Sequence, residues 1–167
     1  MRIELSTGTP AELVHPQGID TPTKGLVVFP DILGLRPLFD DLCRRLSDEQ
    51  GWVVCAPEPF PGGEQLGVGE RLVAMADASD DRFRRDAVAA ADATGCDRVV
   101  AIGFCMGGML AFKAAGSGRF DRTAGFYGMI RLPTDWVGPM HADAIDTLRA
   151  WDRCPVMAVI GLSLIHI

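Results

Sequence analysis

"VVAIGFCMGGMLAF", residues 99–112, decides how this chain is read. Apolar, partly β-branched residues run as far as Ile102, as in a buried strand. Cys105 then sits between Gly103 and Gly107, and an apolar helix-forming run follows. Strand, Gly-x-Cys-x-Gly, helix is the order of a nucleophile elbow, with cysteine where serine usually stands. So sharp a turn holds its central residue in a strained backbone geometry. Glycines at 103 and 107 leave room where side chains would clash. The thiol is lifted above the sheet edge at a helix N-terminus, whose unpaired amides and dipole favour a thiolate. The amide of Met106 can then point at a developing oxyanion. The competing readings are a glycine-rich turn around an inert thiol and a phosphate loop. The second fails, because "GFCMGG" matches neither GxGxxG nor a P-loop and no GK[ST] follows.

Outward from the elbow, the chain alternates. "IELST" and "AELVH" read as two short early strands around Gly8-Thr9-Pro10. "GLVVFP" (25–30) and "WVVCAP" (52–57) read as buried strands bounded by glycine and proline. Between them Leu38, Leu42 and Leu46 recur every fourth residue behind Pro37, so 37–50 is an amphipathic helix that Gly51 can close. Residues 70–94 read as helical, most clearly in "DDRFRRDAVAAADA". A helix is expected over 106–116, ended by Gly116, and "RTAGFYG" and "CPVMAVIG" are further strand-like runs. Short apolar strands separated by helices predict an α/β fold with a mostly parallel sheet and helices on both faces. In such sheets ligands bind outside the carboxyl ends of the strands. Asp31, Glu58 and Cys105 each fall just after a strand and would share that edge.

Composition narrows the function. The 167 residues, 48% hydrophobic and 23% charged, suit one globular domain. A net charge of −6 without a like-charge run argues against nucleic acid as partner. No apolar run spans a membrane and no signal peptide is evident, so a cytoplasmic protein is expected. The five cysteines include no CxxC or zinc-like spacing, so neither disulfides nor a metal is indicated, and no cofactor is expected. Cys43, Cys55, Cys96 and Cys154 read as small core residues.

"GFCMGGMLAF", preceded by "VVFPDILGLRPLFDDLCRRLSDEQGWVVCAPEPF" and followed by "FDRTAGFYG", resembles the dienelactone hydrolase family over roughly residues 25–161. The resemblance implies an α/β-hydrolase-type fold and a Cys-His-Asp triad that cleaves a small ester or lactone, in a protein that is monomeric when intact. Cys105 would be the nucleophile, and the amides of Ile32 and Met106 the oxyanion hole. Asp31 stands where the family often has a glutamate touching the resting thiol, one methylene longer. Arg82, Arg84 and Arg85 lie where the family places an arginine for a substrate carboxylate, against the reading of a solvated helix face. Arg36 carries a similar claim. Tyr127 is a further pocket candidate, or a packing residue.

A thiol at an elbow needs a base oriented by a third group, in the chain order nucleophile, acid, histidine. His141 precedes the last strand and reads as a surface or local-structure residue. The family follows "PVMAVIG" with the triad aspartate and, later, the histidine; here the sequence reads "LSLIHI". The resemblance therefore implies a C-terminally truncated domain over residues 1–161, lacking its last strands and helix. Residues 162–167 read as translated adaptor DNA, with a natural edge strand as the alternative. His166 would then have no catalytic role, and the fragment would be inactive. The other function classes are a non-catalytic ligand-binding protein and a thiol redox sensor built on Cys105.

Overall fold

The computed structural model describes residues 1–150 and 152–161; the expected tail, 162–167, lies outside the described residues. Seven strands form one sheet: β1 (Arg2–Glu4), β2 (Pro10–Val14), β3 (Lys24–Phe29), β4 (Val53–Pro57), β5 (Arg98–Phe104), β6 (Arg122–Phe126) and β7 (Val156–Val159). Their order is β1-β2-β4-β3-β5-β6-β7. The first two strands are antiparallel to each other, and β2 is antiparallel to β4; β3 to β7 are all parallel. The α/β fold with a mostly parallel sheet is therefore observed.

Helices α1 (Pro37–Gln50), α2 (Val68–Ala74), α3 (Asp80–Ala93), α4 (Met106–Ala114) and α5 (Ala144–Ala150) connect the strands. The α1 boundaries are as the sequence marks them. Pro37 opens it, where a missing N–H costs nothing, and Gly51 closes it at φ 68°, donating to Ser47 O at 2.9 Å. The expected helical stretch 70–94 is instead two helices. It breaks at a 3₁₀ turn over Met75–Asp77, and α3 starts afresh where the Ser79 side chain accepts from the Arg82 amide. Helix α4 stops at Ala114, short of Gly116. Its last turn tightens into a 3₁₀ turn over Ala115–Ser117, and Gly118 supplies the left-handed residue at φ 74°.

The pleat sorts the core into two layers. Leu26 and Val28 of β3 and Val54 and Ala56 of β4 face Phe39 and Cys43 of α1. Val27, Phe29, Val53, Cys55, Val99 and Ala101 point the other way, onto Phe83, Ala87, Ala90, Met109 and Phe112 of α3 and α4. Alternation along each strand follows from its two-residue period. Burying a side chain such as Phe112, 2% exposed, contributes roughly 1.5–3 kcal/mol. Helix α1 covers its face only over β3 and β4. Further along that face Val100, Ile102 and Phe104 are half-buried, and Met157 is 56% exposed.

Candidate active site

Cys105 occupies the N-cap position of α4 at φ 55°, ψ −119°, outside the regions an L-residue ordinarily adopts. Its neighbours hold it there. Its amide donates to Phe126 O, at the end of β6, at 3.0 Å. A Cβ on Gly103 would lie 1.9 Å from Gly107 O, so strand and helix meet with no space between them. A Cβ on Gly107 would lie 2.1 Å from Phe29 O and 2.3 Å from Pro30 O. The elbow is thus packed directly on the end of β3, where the loop carrying Asp31 and Ile32 begins. The half-buried thiol side chain sits at the carboxyl edge of the sheet, as the sequence predicts.

Met106 opens α4, so its amide has no intrahelical acceptor. In the 31–36 loop three amides are taken: Leu33 donates to Asp31 Oδ1 (3.0 Å), Gly34 to Asp31 O (3.0 Å) and Leu35 to Glu58 Oε2 (2.8 Å). Among the described residues the Ile32 amide is hydrogen-bonded to no acceptor.

The Asp31 carboxylate is engaged by Arg36 through two bonds of 2.6 and 2.8 Å rather than by the thiol. The shorter side chain and an arginine five residues on give it a local partner. That pairing raises the Arg36 pKa, the hydrogen bond it donates to Asp31 being the largest cause. Tyr127 completes the group. It too has a positive φ, 43°, and its amide donates to Val159 O at 2.7 Å. Burial raises the phenol's pKa, and the negative charges of Cys105 and Asp31 add to this while Arg36 opposes them. Tyr127 is thus the residue of this edge on which Cys105, Asp31 and Arg36 all act. The rings of Phe104 and Phe126 stack beside them with centroids 5.2 Å apart.

The arginines of α3 are engaged elsewhere. Arg82 bonds Asp86 (3.1 Å) and Pro59 O (2.8 Å), and Arg85 pairs with Asp81. Arg84 pairs with Asp81 and lines a cavity of about 670 Å³ with Lys113 and His141. Acidic neighbours one turn away on α3 account for these pairs. The arginine that sequence reasoning missed is Arg71 of α2, buried against Glu58. Glu58 could be placed at the edge from the strand pattern alone, but its cation could not.

His15 is exposed and follows β2, and His166 lies outside the described residues. His141 is 1% exposed, so of the two readings the surface position fails, while its backbone forms a local bridge with Gly138. Phe83, Asp80 and Lys113, brought in by α3 and α4, enclose it. Its pKa is lowered, chiefly by burial and next by Lys113. Neither nitrogen of this imidazole is hydrogen-bonded to Cys105. Among the described residues no group of three His, Cys, Asp or Glu side chains could hold a metal ion. Cys43 and Cys55 are buried thiols whose pKa burial pushes up to about 12. Among the described residues no helix is long and apolar enough to cross a membrane.

Residues 10–161 match the model of the dienelactone hydrolase family. A protein of Saccharolobus solfataricus, provisionally named a carboxymethylenebutenolidase, is 25% identical over 158 residues. That match takes in 70% of this chain and 61% of the relative, so the chain spans less than two thirds of it. The solved structure named m3DLH superposes with a TM-score of 0.74 at 24% identity, over 96% of this chain and 80% of its own. A provisionally named dienelactone hydrolase from Klebsiella pneumoniae gives 0.71 at 19% identity, over 98% and 86%. At those identities the two structures support the fold.

Proposed function

The chain belongs to the dienelactone hydrolase family, and from that premise we propose that it carries the nucleophilic half of a cysteine hydrolase acting on a small carboxylic ester or lactone. The observation that carries this is the strained backbone of Cys105 at the start of α4, with Met106 beside it and the Ile32 loop packed against it. A protein that needs only a core thiol has no reason to hold it at φ 55°.

The thiolate of Cys105 attacks the carbonyl carbon and the C=O pair moves onto oxygen. The amides of Ile32 and Met106 donate to that oxyanion. Collapse expels the alcohol oxygen, which takes up a proton, and leaves a thioester on Cys105. Water, losing a proton, then attacks the thioester and releases the carboxylic acid and the thiolate. Both proton transfers need a base-acid group. Among the described residues no imidazole is hydrogen-bonded to Cys105, and the chain spans 61% of the relative from Saccharolobus solfataricus. In the whole protein we assign this role to a His-Asp pair outside the residues described. These 167 residues should therefore form the thioester and release it slowly. The Asp31-Arg36 pair and Tyr127 line the approach, and Arg36 would have to give up its bonds to Asp31 to bind a substrate carboxylate there.

The test is a chromogenic acyl donor. With p-nitrophenyl acetate the wild-type chain should release p-nitrophenolate in a burst matching the protein concentration, followed by slow turnover. Cys105→Ala should abolish the burst. A burst that persists in Cys105→Ala would refute the assignment.

A further inference from the structure

The pair Glu58-Arg71 is almost fully buried, its side chains 1% and 2% exposed, and it does not touch the thiol. Burying two charges costs several kcal/mol per ion unless their remaining bonding capacity is used. Here it is used, and much of it goes to the loop that bears Ile32. Glu58 follows β4. Its Oε2 accepts from Leu35 N at 2.8 Å, and its Oε1 accepts from Phe60 N at 3.0 Å and from Arg71 at 3.2 Å. Arg71 spreads its fork over Leu66 O (3.0 Å), Glu64 O (2.8 Å) and Ile32 O (3.4 Å). The carboxylate thus holds one end of the 31–36 loop and the guanidinium holds the Ile32 carbonyl, in the peptide unit next to the one that carries the Ile32 amide. Gly34 lies between them at φ +69°, where a Cβ would come within 2.5 Å of Glu58 Oε1 and 2.8 Å of Arg71. The loop is pressed onto the pair as closely as a bare backbone permits.

Resting on the function proposed above, we infer that Glu58 and Arg71 are positioning residues: the buried pair fixes the loop so that the Ile32 amide faces the carbonyl oxygen of an ester attacked by Cys105. Neither side chain touches substrate. Charge matters less here than shape. A lysine at 71 has one nitrogen and cannot reach carbonyls that a guanidinium fork spans. A glutamine at 58 offers one acceptor oxygen where Glu58 uses two.

Two reagents separate positioning from support of the fold. p-Nitrophenyl acetate acylates Cys105 through an oxyanion, whereas iodoacetamide alkylates it by displacing iodide from a saturated carbon, with no oxyanion to stabilise. Both rates are measured at Cys105 by peptide mapping in the wild type, Glu58→Gln, Arg71→Lys and the double variant Glu58→Gln/Arg71→Met, each checked for folding by circular dichroism. The double variant removes both charges and so leaves no unpaired buried ion. Expected is a fall of about tenfold or more in acylation, as for a misplaced oxyanion donor, with alkylation within about twofold of wild type. Equal slowing of both reactions, unchanged acylation, or loss of the folded state in all three variants would overturn the inference. A wild type that alkylates at Cys105 and never acylates would overturn the proposed function itself. A wild type that acylates beside unchanged variants overturns only the positioning role.

Discussion

Gly107→Ala should damage both stability and chemistry, because its methyl group would enter backbone rather than side-chain space. The new Cβ would lie 2.1 Å from Phe29 O and 2.3 Å from Pro30 O. Ordinary carbon-oxygen contacts are about 3.3 Å or more, so elbow and loop must part by roughly 1 Å. Neither obstacle can rotate away, since both are carbonyls at the end of β3. Overpacking of this kind costs about 1–3 kcal/mol, or about 2–12 °C in melting temperature for a chain of this length. The chemical cost is larger. A misplacement of about 1 Å at a reacting centre can lower a rate on the order of 100-fold. The assay pairs a thermal melt with the acylation rate of Cys105 by p-nitrophenyl acetate. Gly69→Ala is the control, because a Cβ there, within α2, meets nothing within 4 Å and alanine is the better helix former by about 0.5–1 kcal/mol. Its melting temperature should rise slightly. A Gly107→Ala variant that melts and acylates like wild type would refute the argument that the elbow is locked against the loop.

Cys43 and Cys55, with pKa values pushed up to about 12 by burial, should resist an aromatic disulfide reagent at neutral pH while Cys105 reacts; all become reactive on unfolding, and fast labelling of Cys43 in the native protein would contradict the packing of α1. His141 should destabilise the protein in acid. Its folded pKa lies below the ordinary 6.5, so as pH falls through 6.5 the unfolded state takes up the proton first and stability drops. Urea melts of His141→Leu should lack that part of the slope, and an unchanged slope would contradict the burial. Tyr127 is the single tyrosine, so ultraviolet titration reads it alone. It should ionise above 10, and Cys105→Ala should lower its pKa only in part, because burial is the larger cause. No response to Cys105→Ala would place the phenol away from the thiol.

The fold was legible because its signals are local. The glycines of 103–108 are spaced for close approach, Pro37 and Gly51 punctuate α1, and the apolar runs of β3, β4 and β5 read as strands buried on both sides. The Ser79 cap that divides 70–94 was present in the sequence, but the helical composition on either side concealed it. The candidate site was legible where one residue's backbone geometry sets it apart, as in the turn at Cys105. It was opaque where side chains meet across the fold. Nothing near Arg71 in sequence marks it as buried; that depends on Glu58, thirteen positions earlier, and on the 31–36 loop. Arg82 and Arg85 looked equally available until their acidic partners on α3 claimed them. His141 lies in a segment with no regular apolar period, and residues distant in sequence, Asp80, Phe83 and Lys113, enclose it.

Peptide mapping after a short exposure to p-nitrophenyl acetate tests the central claim most directly. Of the five cysteines, Cys105 should carry a single acetyl group that hydroxylamine removes, and Cys105→Ala should carry none at neighbouring residues. Acetylation spread over lysines and other thiols, with Cys105 unmodified, would contradict its role as the nucleophile.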